Sequence, residues 1–288
     1  GRPARVRRDR VSRRPRWTVR TGAIARFMRP GEAARDPRAM TRRVLLALVY
    51  GALCHGIFAV AGLAMVLAMW FGMSRSLGAV PEPWSWAANA ALLLQFPLGH
   101  SLFLSGPGRR ALARLAPAPH GGTLATTTYV IVASVQLLLL FAFWTPSGTV
   151  WWRAEGALLW FFGALYAGSW LLLMKASFDA GAEVQSGSLG WTSLLRGRRP
   201  VFPDMPETGL FRIVRQPIYG AFTLTLWTVP TWTPDQLVLA TVLTAYCILG
   251  PRLKERRFER LFGDRFEAYR ARVPYWLPRP RRDRETAR

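Results

Sequence analysis

Val44-Leu45-Leu46-Ala47-Leu48-Val49-Tyr50 opens a run that continues to Gly72 without a single Lys, Arg, Asp or Glu. Three further runs share this character: Trp84–Leu104, Leu124–Trp144 and Ala157–Leu173. About 20 apolar residues suffice to carry a helix across a hydrocarbon layer ~30 Å thick. The runs are rich in Leu and Ala and lack strand-like alternation. In lipid, moreover, backbone groups must be satisfied within the segment, which leaves helices. The prediction is an all-α integral membrane protein with four long transmembrane helices.

Charge sharpens that reading. The chain is 51% hydrophobic yet carries a formal net charge of +23 over 288 residues. The arginines crowd the first forty or so residues, the segment Arg109–Arg114, the stretch Arg196–Arg215 and everything after Pro251. The short segments 73–83 and 145–156 hold one Arg and one Glu each, whereas 106–122 holds Arg109, Arg110 and Arg114. This alternation follows the positive-inside rule with both termini cytoplasmic, as in a bacterial inner membrane. Basic flanks also suit anionic lipid headgroups, at about 1 kcal/mol per residue near the surface. Because the charge brackets membrane spans and forms no stripe on a folded domain, nucleic acid is not an expected partner. Cys54 and Cys247 both lie in apolar segments and read as buried small hydrophobes. No clustered His/Cys/Asp set supports a metal site.

Residues 1–39 are Arg- and Pro-rich without hydrophobic period, and read as a disordered basic tail outside the fold. Met40-Thr41-Arg42-Arg43 before Val44 resembles a natural protein start. The membrane domain is expected over 40–278, followed by a basic tail over 279–288. Inside it, Pro97 is expected to kink or break the second span. His55 reads as helix packing, and Lys175, Asp179 and Glu183 as a solvated helix end. After the fourth span a loop of some forty residues leads to two shorter apolar pieces, Tyr219–Val229 and Asp235–Leu249, divided by Pro230 and Pro234. They predict a C-terminal helical hairpin. A cytoplasmic amphipathic helix is expected to start near Pro251 and run to about Arg272.

Arg215-Gln216-Pro217-Ile218-Tyr219 stands directly before this hairpin, and Arg252-Leu253-Lys254-Glu255 directly after it. The hairpin returns both polar clusters to one membrane face, where a water-soluble cofactor can meet a lipid-soluble substrate. Pro217 holds Gln216 extended. Arg and amide donors suit a carboxylate, and Glu255 suits ribose hydroxyls or an ammonium. Interfacial anchoring of the membrane is the other reading of the same residues. His100, near the end of the second span, is either a cavity residue or a partner for carbonyls freed by Pro97.

These residues resemble the C-terminal signature of the isoprenylcysteine carboxyl methyltransferase and phospholipid methyltransferase superfamily, whose members are membrane enzymes using S-adenosylmethionine. Its Arg-His-Pro-x-Tyr is similar to Arg215–Tyr219. Its Glu-Glu pair, Phe-Gly and Tyr-x-x-x-Val-Pro are similar to Lys254-Glu255, Phe262-Gly263 and Tyr269–Pro274. The methanethiol S-methyltransferase branch is similar across Met40–Pro278, including His100-Ser101, Thr128-Tyr129 and Leu195–Arg198. The resemblance implies S-adenosylmethionine held by Gln216, Pro217, Tyr219, Arg252, Lys254 and Glu255. It implies a small or lipophilic thiol as acceptor. Because such a thiol must lose its proton, Arg215 is read as the cation that stabilises the thiolate and His100 as the base, the two candidate catalytic groups. A carboxyl or lipid-amine acceptor, or a non-catalytic scaffold of the same fold, are the alternatives. Gln216 and Lys254 depart from the motif's His and first Glu.

Overall fold

A computed structural model describes residues 37–278, and most of these are helical. The expected basic tails fall outside the described residues, apart from Pro37–Ala39, which begin the first helix. The helices are α1 (Pro37–Trp70), α2 (Trp84–Phe103), α3 (Gly106–Leu115), α4 (Gly121–Ala142), α5 (Gly156–Asp179), α6 (Ala182–Gln185), α7 (Ser188–Leu195), α8 (Pro217–Trp227), α9 (Pro234–Phe262) and α10 (Asp264–Arg272). A 3-10 turn at Gly209–Arg212 precedes α8. Two-residue strands β1 (Trp152–Arg153) and β2 (Thr231–Trp232) pair antiparallel.

Among the described residues α1, α4, α5 and α9 are each long and apolar enough to cross a membrane, and α2 with α3 forms a fifth candidate bent by 96°. The outward residues match the solvent they are built for. Leu45, Leu53, Val60 and Leu63 on α1 and Leu158, Phe161 and Leu171 on α5 are all exposed, and Trp160 is 82% exposed. Such continuous apolar faces fit lipid and not water. One core runs through the bundle, joining Met65, Met69, Leu93, Leu140, Phe141, Tyr166, Leu226, Leu239 and Leu243. Packing at Gly51, where a Cβ would lie 2.7 Å from the Trp191 ring, brings α7 against α1.

Between α2 and α4 two glutamines tie backbone to side chain reciprocally. Gln95 Nε2 donates to the Gln136 carbonyl and Gln136 Nε2 to the Gln95 carbonyl, each at 2.8 Å. This clamp lies just before Pro97, and α2 continues through the proline instead of breaking there. The break falls at Leu104 and Ser105, where Ser105 Oγ caps α3 by accepting from Gly108 N. His55 packs as expected, accepting from Trp191 Nε1 at 3.1 Å.

The hairpin is built asymmetrically. Its first helix, α8, has only 11 residues. At ~1.5 Å per residue such a helix covers about 16 Å, roughly half the hydrocarbon thickness. The chain returns through the buried stretch Val229–Thr233. Non-helical backbone is tolerated at such a place where protein, not lipid, surrounds it. Thr233 then caps α9, accepting from Gln236 N at 2.9 Å, with Pro234 in the first turn.

Two boundaries differ from those the sequence suggests. No new helix begins at Pro251: α9 runs through it to Phe262. A proline removes one ladder bond without ending a helix whose flanking turns are held. Here Tyr275 Oη donates to the adjacent Ile248 carbonyl at 3.4 Å. The stop comes at Gly263, which has φ 51° and ψ -129°. That backbone conformation suits glycine alone. The C-terminal amphipathic segment is therefore α10, packed on the end of α9 through Phe258 and Phe266.

Candidate active site

The ends of α1, α2, α4, α5, α8 and α9 alternate between two faces of the bundle. One, the strand end, carries β1 and β2. The other, the basic end, carries α3, α7, α10 and the residues singled out by sequence.

At the basic end Gln216 precedes the first turn of α8 and is 2% exposed. Its Nε2 donates to Glu255 Oε1 at 2.8 Å, and Arg215 Nε donates to the same oxygen at 2.9 Å. Lys254 Nζ donates to Gln216 Oε1 at 3.3 Å. The two residues that depart from the superfamily motif are thus each other's partners. A glutamine amide offers a donor and an acceptor together, so Gln216 satisfies the Glu255 carboxylate and the Lys254 ammonium at once. Pro217, in the first turn of α8, is buried beside them.

Arg215 reaches further. Its Nη1 donates to the Val273 carbonyl at 2.7 Å and the Arg270 carbonyl at 3.0 Å, and its backbone N to the Pro274 carbonyl at 2.9 Å. It is a splint that holds the end of α10 over the start of α8. Two of its guanidinium nitrogens are engaged by protein.

Aromatic rings wall the cluster. The Lys254 ammonium lies 5.3 Å from the Phe211 ring centre and 5.4 Å from that of Phe258. Both separations are within cation–π range. Phe266 and Tyr269 of α10 complete the wall. Tyr269 Oη donates to the Phe211 carbonyl at 2.8 Å, and burial raises its pKa above the ordinary phenol value, keeping it a donor. Phe211 sits on the 3-10 turn, which Asp179 anchors by accepting from Leu210 N at 2.8 Å. Gly209, with φ +58°, lets that carboxylate approach: a Cβ there would be 2.2 Å from Asp179 Oδ2. Asp179 is therefore a support of the site and not the solvated helix end its sequence position suggests. The spacing of Phe258, Phe262, Phe266 and Tyr269 is the sequence signal that would have disclosed this wall.

The free cavity among these groups is about 10 Å³. That is the room of one water. The donor set nonetheless fits S-adenosylmethionine in kind. Glu255 and Gln216 match hydroxyls and an ammonium, Arg215 a carboxylate, and the rings a flat base or a sulfonium.

Tyr219 and Arg252 do not join this cluster. Arg252 is exposed and makes no hydrogen bond or ion pair among the described residues. Tyr219 belongs to a second polar group set between α2, α4, α8 and α9. There His100 does not cap carbonyls near Pro97; a ring nitrogen lies 2.8 Å from Tyr129 Oη. The rings of His100 and Tyr246 stand edge to face at 6.5 Å. Arg257, at the end of the ionic run that begins at Arg252, is half-buried on α9.

Known proteins are similar to this chain in sequence. The chain is 31% identical over 192 residues to methanethiol S-methyltransferase 1 of Bradyrhizobium diazoefficiens, a match covering 66% of each protein. It is 27% identical over 242 residues to methanethiol S-methyltransferase of Pseudomonas sp., covering 82% of this chain and 91% of the relative. With mouse nurim it shares 30% identity over 182 residues, 60% of this chain and 67% of nurim. The chain belongs to the isoprenylcysteine carboxyl methyltransferase superfamily, on its methanethiol S-methyltransferase branch. No family model matches it, and no solved structure does. Within that superfamily its Gln216–Lys254 contact replaces the motif's His and Glu by a pair that bond to one another.

Proposed function

We propose that the chain is an S-adenosylmethionine-dependent membrane methyltransferase whose acceptor is a small or lipophilic thiol such as methanethiol. The observation that carries this reading is the juxtaposition of two polar clusters on one helix hairpin. Gln216 and Glu255 hold the cofactor cluster. Tyr219, one turn along α8, and Tyr246 with Arg257 on α9 face His100 and Tyr129. Reaction takes place at the basic end, read as the cytoplasmic face of a bacterial inner membrane, with both termini on that side and lipid around the bundle.

S-adenosylmethionine, when bound, supplies a methyl group on a sulfonium. The residues supply position, and in-line alignment accounts for most of the acceleration in such transfers. Glu255 and Gln216 orient the polar part of the cofactor, and Arg215 closes α10 over it. A thiol with pKa near about 8.5 or above must lose its proton to become a nucleophile. His100, hydrogen-bonded to Tyr129, receives that proton.

One observation favours a second reading, a non-catalytic scaffold: the Lys254 ammonium itself fills the ring pair Phe211–Phe258. A titration of detergent-purified full chain with S-adenosylmethionine separates the two. Saturable binding, followed by a volatile methyl sulfide from methanethiol and labelled cofactor, supports the enzyme. Label retained in membranes points to a carboxyl or lipid-amine acceptor, and no binding at all leaves the scaffold.

A further inference from the structure

Carboxylates are spread unevenly over the basic end. Around α9 and α10 they meet arginines: Asp204 and Glu207 pair with Arg265, Glu207 with Arg272, and Glu259 with Arg270. The helices α1, α3 and α7 contain no Asp or Glu, and neither do the segments 105–122 and 184–203. The ends of these three helices meet, because Ala47, Ala116 and Leu194 share one buried cluster. Arg42, Arg43, Arg114, Arg196 and Arg198 flank that cluster in sequence, with no carboxylate in the same segments.

Arg43 holds a built position in this sector. Its guanidinium lies against Gly197, just past the end of α7. A Cβ at Gly197 would stand 2.6 Å from Arg43 Nη1 and 3.0 Å from Cζ. The φ of +63° there suits glycine and leaves a notch in which the side chain rests. Gly197 N and Arg198 N close α7 by donating to the Leu194 and Ser193 carbonyls. Arg43 Nε is enclosed by protein and has no acceptor. Among the described residues no hydrogen bond or ion pair engages the rest of the fork. A buried donor left unmet is costly. Nε and Nη of a guanidinium form a planar fork that matches two oxygens of a phosphate. Beside the fork the surface turns apolar at once, since Leu45, Leu48 and Val49 of α1 are all exposed. A free anion gains nothing from that face, whereas a phospholipid engages both.

We propose that Arg43, seated in the notch at Gly197, binds the phosphate of an anionic phospholipid whose acyl chains lie along α1. Arg42 and Arg196, both exposed, favour a glycerol phosphate headgroup and repel the ammonium of a choline headgroup. Such a discrete site differs from the diffuse attraction of basic flanks, in which every arginine near the surface counts alike. It stands apart from the cluster around Glu255 and holds whether or not the chain is an enzyme.

The test offers the full chain, in neutral detergent, equal amounts of phosphatidylglycerol and phosphatidylcholine and counts retained lipids by native mass spectrometry. Wild type is expected to prefer phosphatidylglycerol by about tenfold, through one charge-assisted fork and its basic neighbours. Arg43→Gln should lose most of that preference. Arg110→Gln, exposed on α3, should keep it within about twofold of wild type. Equal losses in the two variants would mean a diffuse field and overturn the proposal, as would an undiminished preference in Arg43→Gln. Circular dichroism of the helices shows that the variants fold. Should Arg43→Gln fail to fold, Arg43→Lys decides, because it keeps the charge and loses the fork. It must lower the preference by at least about threefold, and an unchanged preference overturns the site. Soluble glycerol phosphate is the last arm and is expected to displace nothing. Displacement of phosphatidylglycerol by an equal concentration of it would assign the notch to free phosphate and overturn the lipid.

Discussion

At the strand end, Asp235 accepts from Trp144 Nε1 at 3.0 Å, from Ser147 N at 3.0 Å and from Ser147 Oγ at 2.5 Å. At the basic end, Arg257 is half-buried with no acceptor among the described residues. Both are ionisable groups on α9, near its opposite ends. The first is closed by neighbours that the loop after α4 brings to it, and α9 begins there with a carboxylate at the positive end of its dipole. Such a carboxylate ties the loop after α4 to the start of α9. The second is met by no acceptor among the described residues.

The largest test of this contrast is Glu255→Ala. Its carboxylate is the acceptor for both Arg215 and Gln216, and the Arg215–Glu255 pair is nearly buried, with side chains 11% and 13% exposed. Removing one partner of a buried pair costs about 3–5 kcal/mol. Thermal unfolding should fall sharply and S-adenosylhomocysteine binding should vanish. Retained binding would show that the cluster is not the cofactor site. Next comes Asp235→Ala, which strands buried donors at about 1–3 kcal/mol each. It should lower the unfolding temperature while leaving cofactor affinity within twofold; a large affinity change would erase the distinction between the ends.

Lys254→Ala comes third. It frees the Phe211–Phe258 ring pair and enlarges a cavity of about 10 Å³. Calorimetric titration is expected to show S-adenosylhomocysteine affinity rising about tenfold, or about 1.4 kcal/mol. A fall would mean that the ammonium contacts the cofactor directly. The smallest effect belongs to Arg252→Ala, exposed and unpaired among the described residues. Its stability is expected to change by less than about 0.5 kcal/mol. A marked loss of binding there would restore Arg252 to the cofactor site that its sequence position suggested.

The hairpin shows how far each level of reading reaches. Its two apolar pieces and the polar clusters flanking them were legible from residue type alone, because lipid imposes a strict rule on composition. The length of the first piece was legible too, and that of the second was not. Proline marks a lost hydrogen bond, and whether a helix survives that loss depends on neighbours such as Tyr275 and the Gln95–Gln136 clamp, which come from distant sequence. The same holds for Asp179. Nothing local distinguishes a solvated carboxylate from one that pins the turn bearing Phe211.

The run Val44–Gly72 and its three counterparts, by themselves, determined that this is a helical membrane protein, since ~20 uncharged residues admit no other economical burial of backbone. The order Arg215–Tyr219, hairpin, Lys254-Glu255 determined that two polar clusters meet at one face. Only the tertiary structure decided which side chains complete one another there. Pairing is a matter of ångströms and of helix face: Glu255 turns toward Arg215 and Gln216, while Arg257, two residues later, turns to the opposite side and finds no partner among the described residues.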